Sequence, residues 1–136
     1  PRPTGRDIRA AWAAADTLAA LGLVERRPEW RAYGHMLVAA PLARLGQNDS
    51  AEAVIRRARA RLDELHSELQ HAASFQEAHA RVLLGQPDSA LTLLEHYLER
   101  YPGRGASILS DWWFRALWDD PRLEDITGTS PVADRG

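Results

Sequence analysis

The chain contains no cysteine. That removes disulfides and thiolate chemistry, and it leaves the compartment open between cytoplasm and periplasm. Neither sign of charge prevails, since 17 basic and 19 acidic residues leave a formal net charge of -2. There is no overall basic field to draw in nucleic acid or an acidic membrane, so no nucleic-acid partner is expected. No apolar run approaches the roughly 20 residues that span a bilayer, and no signal-peptide pattern opens the sequence. Membrane insertion of this segment is therefore not expected. Glycine and proline are missing from Ala51 through Leu84, a stretch in which local propensity alone allows one very long helix. The first residue is Pro1 rather than methionine, which reads as a piece of a longer polypeptide.

What is present favours helix. Alanine, leucine and arginine dominate the 136 residues, a length suited to one domain with a real core. The segment Leu45-Gly46-Gln47-Asn48-Asp49-Ser50-Ala51 returns as Leu84-Gly85-Gln86-Pro87-Asp88-Ser89-Ala90. Each copy reads as a corner between two helices. Leucine ends the first, glycine takes the left-handed position beyond it, and Asp-Ser caps the next.

Helical spacing then orders the rest. Ile8, Ala11, Trp12, Ala15, Leu18 and Ala19 form one apolar stripe closed by Gly22. A second helix spans about Pro28 to Leu45, with Trp30, Tyr33, Leu37 and Ala40 on one face and a kink near Leu37 imposed by Pro41. The third follows Asn48-Asp49 and carries Ala51, Val54, Ile55, Ala58, Leu62 and Leu65. On it, Glu52 with Arg56 and Arg59 with Asp63 are spaced to pair on the surface. A repeat requires a turn between His66 and Gln70, then a fourth helix to about Leu84 and a fifth from Asp88 to Tyr101. Pro102-Gly103-Arg104-Gly105 ends the fifth helix. A short turn, the aromatic run Asp111-Trp112-Trp113-Phe114 with Trp118, and a last helix capped by Asp119-Asp120-Pro121 complete the domain. Residues 127–136 read as a disordered tail.

These residues resemble the tetratricopeptide (TPR) repeat family. Ala39, Gly46, Ala51 and Ala58 match one copy, and Ala78, Gly85, Ala90 and Pro102 match the next. The copies are spaced more widely than the family's period of about 34 residues. Arg81 stands where tyrosine is usual, and Asp63 where proline is usual. Phe114-Arg115-Ala116-Leu117-Trp118-Asp119-Asp120-Pro121-Arg122-Leu123 is similar to the ending that closes many bacterial regions of this kind, often C-terminal to a kinase, a cyclase or a transcriptional regulator. The resemblance implies an all-α domain over 1–126. Antiparallel helix pairs (28–66 and 67–104) would stack as a short right-handed superhelix under an aromatic cap at 105–126.

The implied function is non-enzymatic binding of a protein or peptide. By the same resemblance Tyr33, Met36, Ala40, Phe75 and His79 line the concave groove. Met36 and Ala40 replace the lysine and asparagine with which some members clamp a terminal carboxylate, so that ligand is not expected. Trp112, Trp113, Phe114 and Trp118 either cover the open end of the last helix pair or dock another chain. The alternative is a regulatory, sensory or oligomerisation module of a larger bacterial signalling enzyme, with a homodimer as its simplest form.

Other chemistry is not supported. His66 and His71 are five residues apart and point to different helix faces, and two helical turns separate His71 from His79. The histidines therefore read as solvated, with no metal site and no cofactor. Arg56, Arg57, Arg59 and Arg61 go round their helix and read as a solvated face. Gly103-Arg104-Gly105 is a turn, because no strand precedes it and no lysine completes a phosphate loop. No nucleophile signature appears, so no catalytic residue is expected.

Overall fold

The structure, a computed structural model, describes Ala13 and residues 27–128. The stripe from Ile8 to Ala19 and the tail beyond Gly128 lie outside the described residues, apart from Ala13. Among the described residues every regular element is helical: α1 (Pro28–Met36), α2 (Ala39–Arg44), α3 (Asn48–Glu64), α4 (Leu69–Leu83), α5 (Pro87–Arg100), α6 (Gly105–Ser110) and α7 (Pro121–Thr127). Two 3-10 segments, Pro102–Arg104 and Trp112–Leu117, flank α6. No helix among them is long and apolar enough to cross a membrane.

The helix expected over 28–45 is divided in two. Pro41 has no N–H to give the carbonyl of Leu37, so one rung of the ladder is missing. Val38 bonds back only to the carbonyl of His35, at 3.1 Å. Leu37 and Val38 nevertheless keep right-handed helical dihedrals. The chain therefore bends through the gap without reversing.

Three corners share one closure. At the first, Gln47 N–H reaches the Leu42 carbonyl and Gly46 N–H the Ala43 carbonyl; at the second, Gln86 reaches Arg81 and Gly85 reaches Val82. Gly46 and Gly85 take the left-handed conformation this closure needs, at φ +81° and +74°. Between them lies a third, at which Ser67 bonds to Leu62 and His66 to Asp63. It ends α3 within the glycine-free stretch. Asp-Ser does not cap the helices that follow. α3 and α5 begin at Asn48 and Pro87 and are preceded by Gln47 and Gln86, which make no side-chain capping bond. Asp49 and Asp88 instead sit in the first turn, where a carboxylate faces the positive end of the helix dipole.

Short corners fold each helix back on its predecessor, and α4 becomes the central element. It packs against α1, α2 and α3 and against α5. One core gathers Met36, Leu42, Val54, Ile55 and Leu62, to which α4 adds Ala73 and Ala80. A second gathers Leu91, Leu94, Ile108, Phe114, Leu117 and Leu123, to which α4 adds Ala78. The small residues of α4 suit a helix with neighbours on both sides, because side-chain size at the contact sets the interaxial distance.

α4 also redirects charges that the third helix was expected to use on its own surface. Arg59 bonds Glu77 at 2.9 Å, and Glu52 receives Arg81 at 2.7 Å. Arg81 closes the set on the other oxygen of Glu77, at 3.1 Å. The Arg59–Glu77 and Arg81–Glu52 pairs bind α3 to α4, and Arg56 acts on Glu52 as a neighbouring charge.

Candidate partner-binding cleft

Ala40, Pro41 and Arg44 of α2, His79 and Leu83 of α4, and Trp113 line a cleft of about 340 Å³. That volume falls in the range of small-ligand and side-chain pockets, about 300–1,000 Å³. The proline bend is part of the wall, since Pro41 both interrupts the helix and faces the opening. The lining is mostly apolar, with Arg44 at its edge. Among the described residues, its lining carries no hydroxyl, thiol or carboxylate.

Asp111 holds two of the lining residues at once. Its Oδ1 accepts from the Trp113 backbone N–H at 2.9 Å and so starts the 3-10 segment. Its Oδ2 lies 3.0 Å from His79 Nε2. An ionised carboxylate only accepts, so His79 donates from Nε2. The His79 ring stacks on Phe114 with centroids 4.4 Å apart and meets Phe75 edge-on. Arg44 then places its guanidinium 4.8 Å from the centre of the Trp113 ring, a cation–π distance. Trp112 stands edge-on to Trp113, with Arg115 over its face at 3.4 Å.

The residues expected to form a groove therefore separate. Ala40 and His79 line the cleft. Tyr33 is half-buried beside it in sequence but not in its wall; its hydroxyl meets Gln76 Nε2 at 3.4 Å, and burial raises its pKa. Met36 is 0% exposed and belongs to the first core. The resemblance put it in the groove, whereas the core to which α3 and α4 contribute takes it in. Phe75 packs in the second core beside His79, Tyr97 and Phe114.

The aromatic run separates as well. Phe114 is 0% exposed and fills the second core. Trp118 packs at that core's edge with its Nε1 buried and without an acceptor among the described residues. Trp112 and Trp113 remain open, at 54% and 38% exposed. Pro41, Arg44 and Leu83 were missed as lining residues. Pro41 carried a signal as a helix-bending proline, but nothing local to the sequence brings Arg44 to Trp113.

A larger cavity of about 400 Å³ lies between α1 and α3, lined by Pro28, Arg31, Arg61 and Glu64 among others. It holds none of the expected groove residues. Comparison with known proteins finds no matching family model, no matching curated protein and no matching solved structure. The tetratricopeptide resemblance thus rests on the corner residues and the C-terminal sequence alone.

Proposed function

We propose that the chain is a non-enzymatic protein-binding module whose helix pairs stack in a TPR-like right-handed superhelix, with the 105–126 segment as its cap. Its docking site is the cleft between α2, α4 and Trp113. One observation carries this: an apolar pocket large enough for a side chain is bordered, among the described residues, by the guanidinium of Arg44, held on an open tryptophan. The ligand this suits is a partner segment bearing one large apolar residue next to an acidic one. The apolar residue enters the pocket, and the carboxylate meets the guanidinium. Arg44 at the rim supplies direction and selectivity more than bulk affinity.

Selection from a random-peptide library on the full 136-residue chain tests this, with Ala40→Arg as the counter-selecting variant. The retained peptides should share an apolar residue flanked by Asp or Glu. Arg44→Glu should weaken them about tenfold, the loss of a contact of roughly 1.4 kcal/mol. Peptides that bind Ala40→Arg equally well would contradict the assignment.

The exposed indole of Trp112 favours a second reading, self-association of a module within a larger signalling protein. Light scattering across a concentration series separates the two. A dimer abolished by Trp112→Ala supports self-association, and a monomer at every concentration removes it.

A further inference from the structure

His71 of α4 and His96 of α5 stack across the helix junction, with ring centroids 4.1 Å apart and planes at 25°. Glu99 lies three residues beyond His96, on the same face of α5. Its Oε2 is 4.0 Å from His71 Nε2. One ligand atom from each of the three residues lies within 4.8 Å of the other two. His71 and His96 are partly buried, while the Glu99 side chain is 65% exposed, so the group opens to solvent on one side.

A second layer stands behind it. Ser74 is fully buried, and its Oγ lies 2.7 Å from His96 Nδ1. The same Oγ is 3.0 Å from the Gln70 carbonyl. The hydroxyl proton can therefore go to Gln70 while Oγ accepts Nδ1–H. That arrangement leaves Nε2 of His96 with a free lone pair. Arg59 steadies the pair from α3, donating to Gln70 O at 3.1 Å and to Ser74 Oγ at 3.3 Å, and its charge is balanced by Glu77. A ligating histidine ordinarily has its other nitrogen held in this way.

We propose that His71, His96 and Glu99 bind one divalent transition-metal ion of the zinc type, with water completing the coordination. Two imidazoles and one carboxylate disfavour calcium and magnesium, which take oxygen ligands, and no thiolate is present to select softer metals. Three protein ligands and an open position form a familiar zinc arrangement. Bonds of about 2.0–2.2 Å place ligand atoms roughly 3.3 Å apart. Because the two rings are stacked, His71 must turn out of the stack for its lone pair to meet an ion on His96 Nε2, and rotation of the exposed Glu99 then closes the present spread to that distance. The ion would tie α4 to α5 about two helical turns along α4 from His79 and the cleft.

The test uses the untagged full chain, stripped with chelator and titrated with Co²⁺ by visible absorption, then with Zn²⁺ by calorimetry. The expected result is one equivalent bound, with Zn²⁺ displacing Co²⁺ and raising the melting temperature. Ser74→Ala should weaken binding about 10–100-fold, the usual effect of losing a supporting partner. His71→Gln and Glu99→Gln should weaken it further, while melting as the wild type does without metal. Neither of those substitutions removes the buried Ser74 contact that His96 makes, so the test stands even where His96→Gln fails to fold. No Co²⁺ spectrum at one equivalent would overturn the proposal. So would undiminished binding in His71→Gln, or binding lost instead with His35→Gln or His79→Gln.

Discussion

His66 holds at the middle corner the left-handed backbone position that Gly46 holds at the first, at φ +48° against +81°. A residue with a Cβ pays roughly 1–2 kcal/mol there. Glycine avoids that strain but loses roughly 0.5–1 kcal/mol to the freedom of the unfolded chain. His66→Gly should therefore stabilise the domain by about 0.5–1 kcal/mol. Urea denaturation measures it as a raised midpoint at an unchanged slope. Zinc affinity should not change, because His66 is not among the ligand residues.

Gly46 supplies the converse. No atom lies within 4 Å of where its Cβ would stand, so the cost of Gly46→Ala is conformational alone. A loss of about 1 kcal/mol is expected in the same denaturation experiment.

Glu77 is buried between Arg59 and Arg81, at 2.9 and 3.1 Å. Removing the shared carboxylate leaves two guanidinium groups facing each other with little water. Glu77→Ala should cost about 2–3 kcal/mol, the lower end for a broken buried pair because both arginines keep some exposure. Thermal melts in low and high salt check the assignment. The wild type should change little with salt, since the contacts are mostly shielded from solvent ions.

The acid limb of stability has a nameable contributor. A hydrogen bond from Arg81 holds the Glu52 carboxyl below its ordinary value, against the opposing effect of burial. A depressed folded pKa gives stability that is present above the unfolded value, about 4.3. It is lost as pH falls through the lower folded one. Melting temperature should thus decline below about pH 4.3, and the decline should be shallower in Glu52→Gln. Equal slopes in both proteins would assign the acid sensitivity elsewhere.

Helix positions were largely legible because their signals are local. Gly46 and Gly85 announce their corners, and Pro41 announces the bend. His66 does not, since it has no glycine's freedom and takes the left-handed position only because α4 must return along α3. The site was less legible. The helical wheel of α3 placed Arg59 towards solvent, but α4 lies on that face and presents Glu77. His71 was compared with histidines of its own helix, whereas its partner His96 stands on the next one. Met36 and Phe114 have the residue types of a binding surface, and only the packing of α4 and of the C-terminal turn buries them.

The central claim is that a partner docks beside Trp113, and the most direct measurement uses the indole N–H signals of the five tryptophans. The ¹⁵N-labelled chain is titrated with a peptide from the selection described above. Each signal is assigned beforehand by single Trp→Phe substitutions. The Trp113 indole should shift progressively with peptide, while those of Trp30 and the half-buried Trp118 stay fixed. Movement of Trp30 with Trp113 unmoved would place the partner elsewhere and contradict the account.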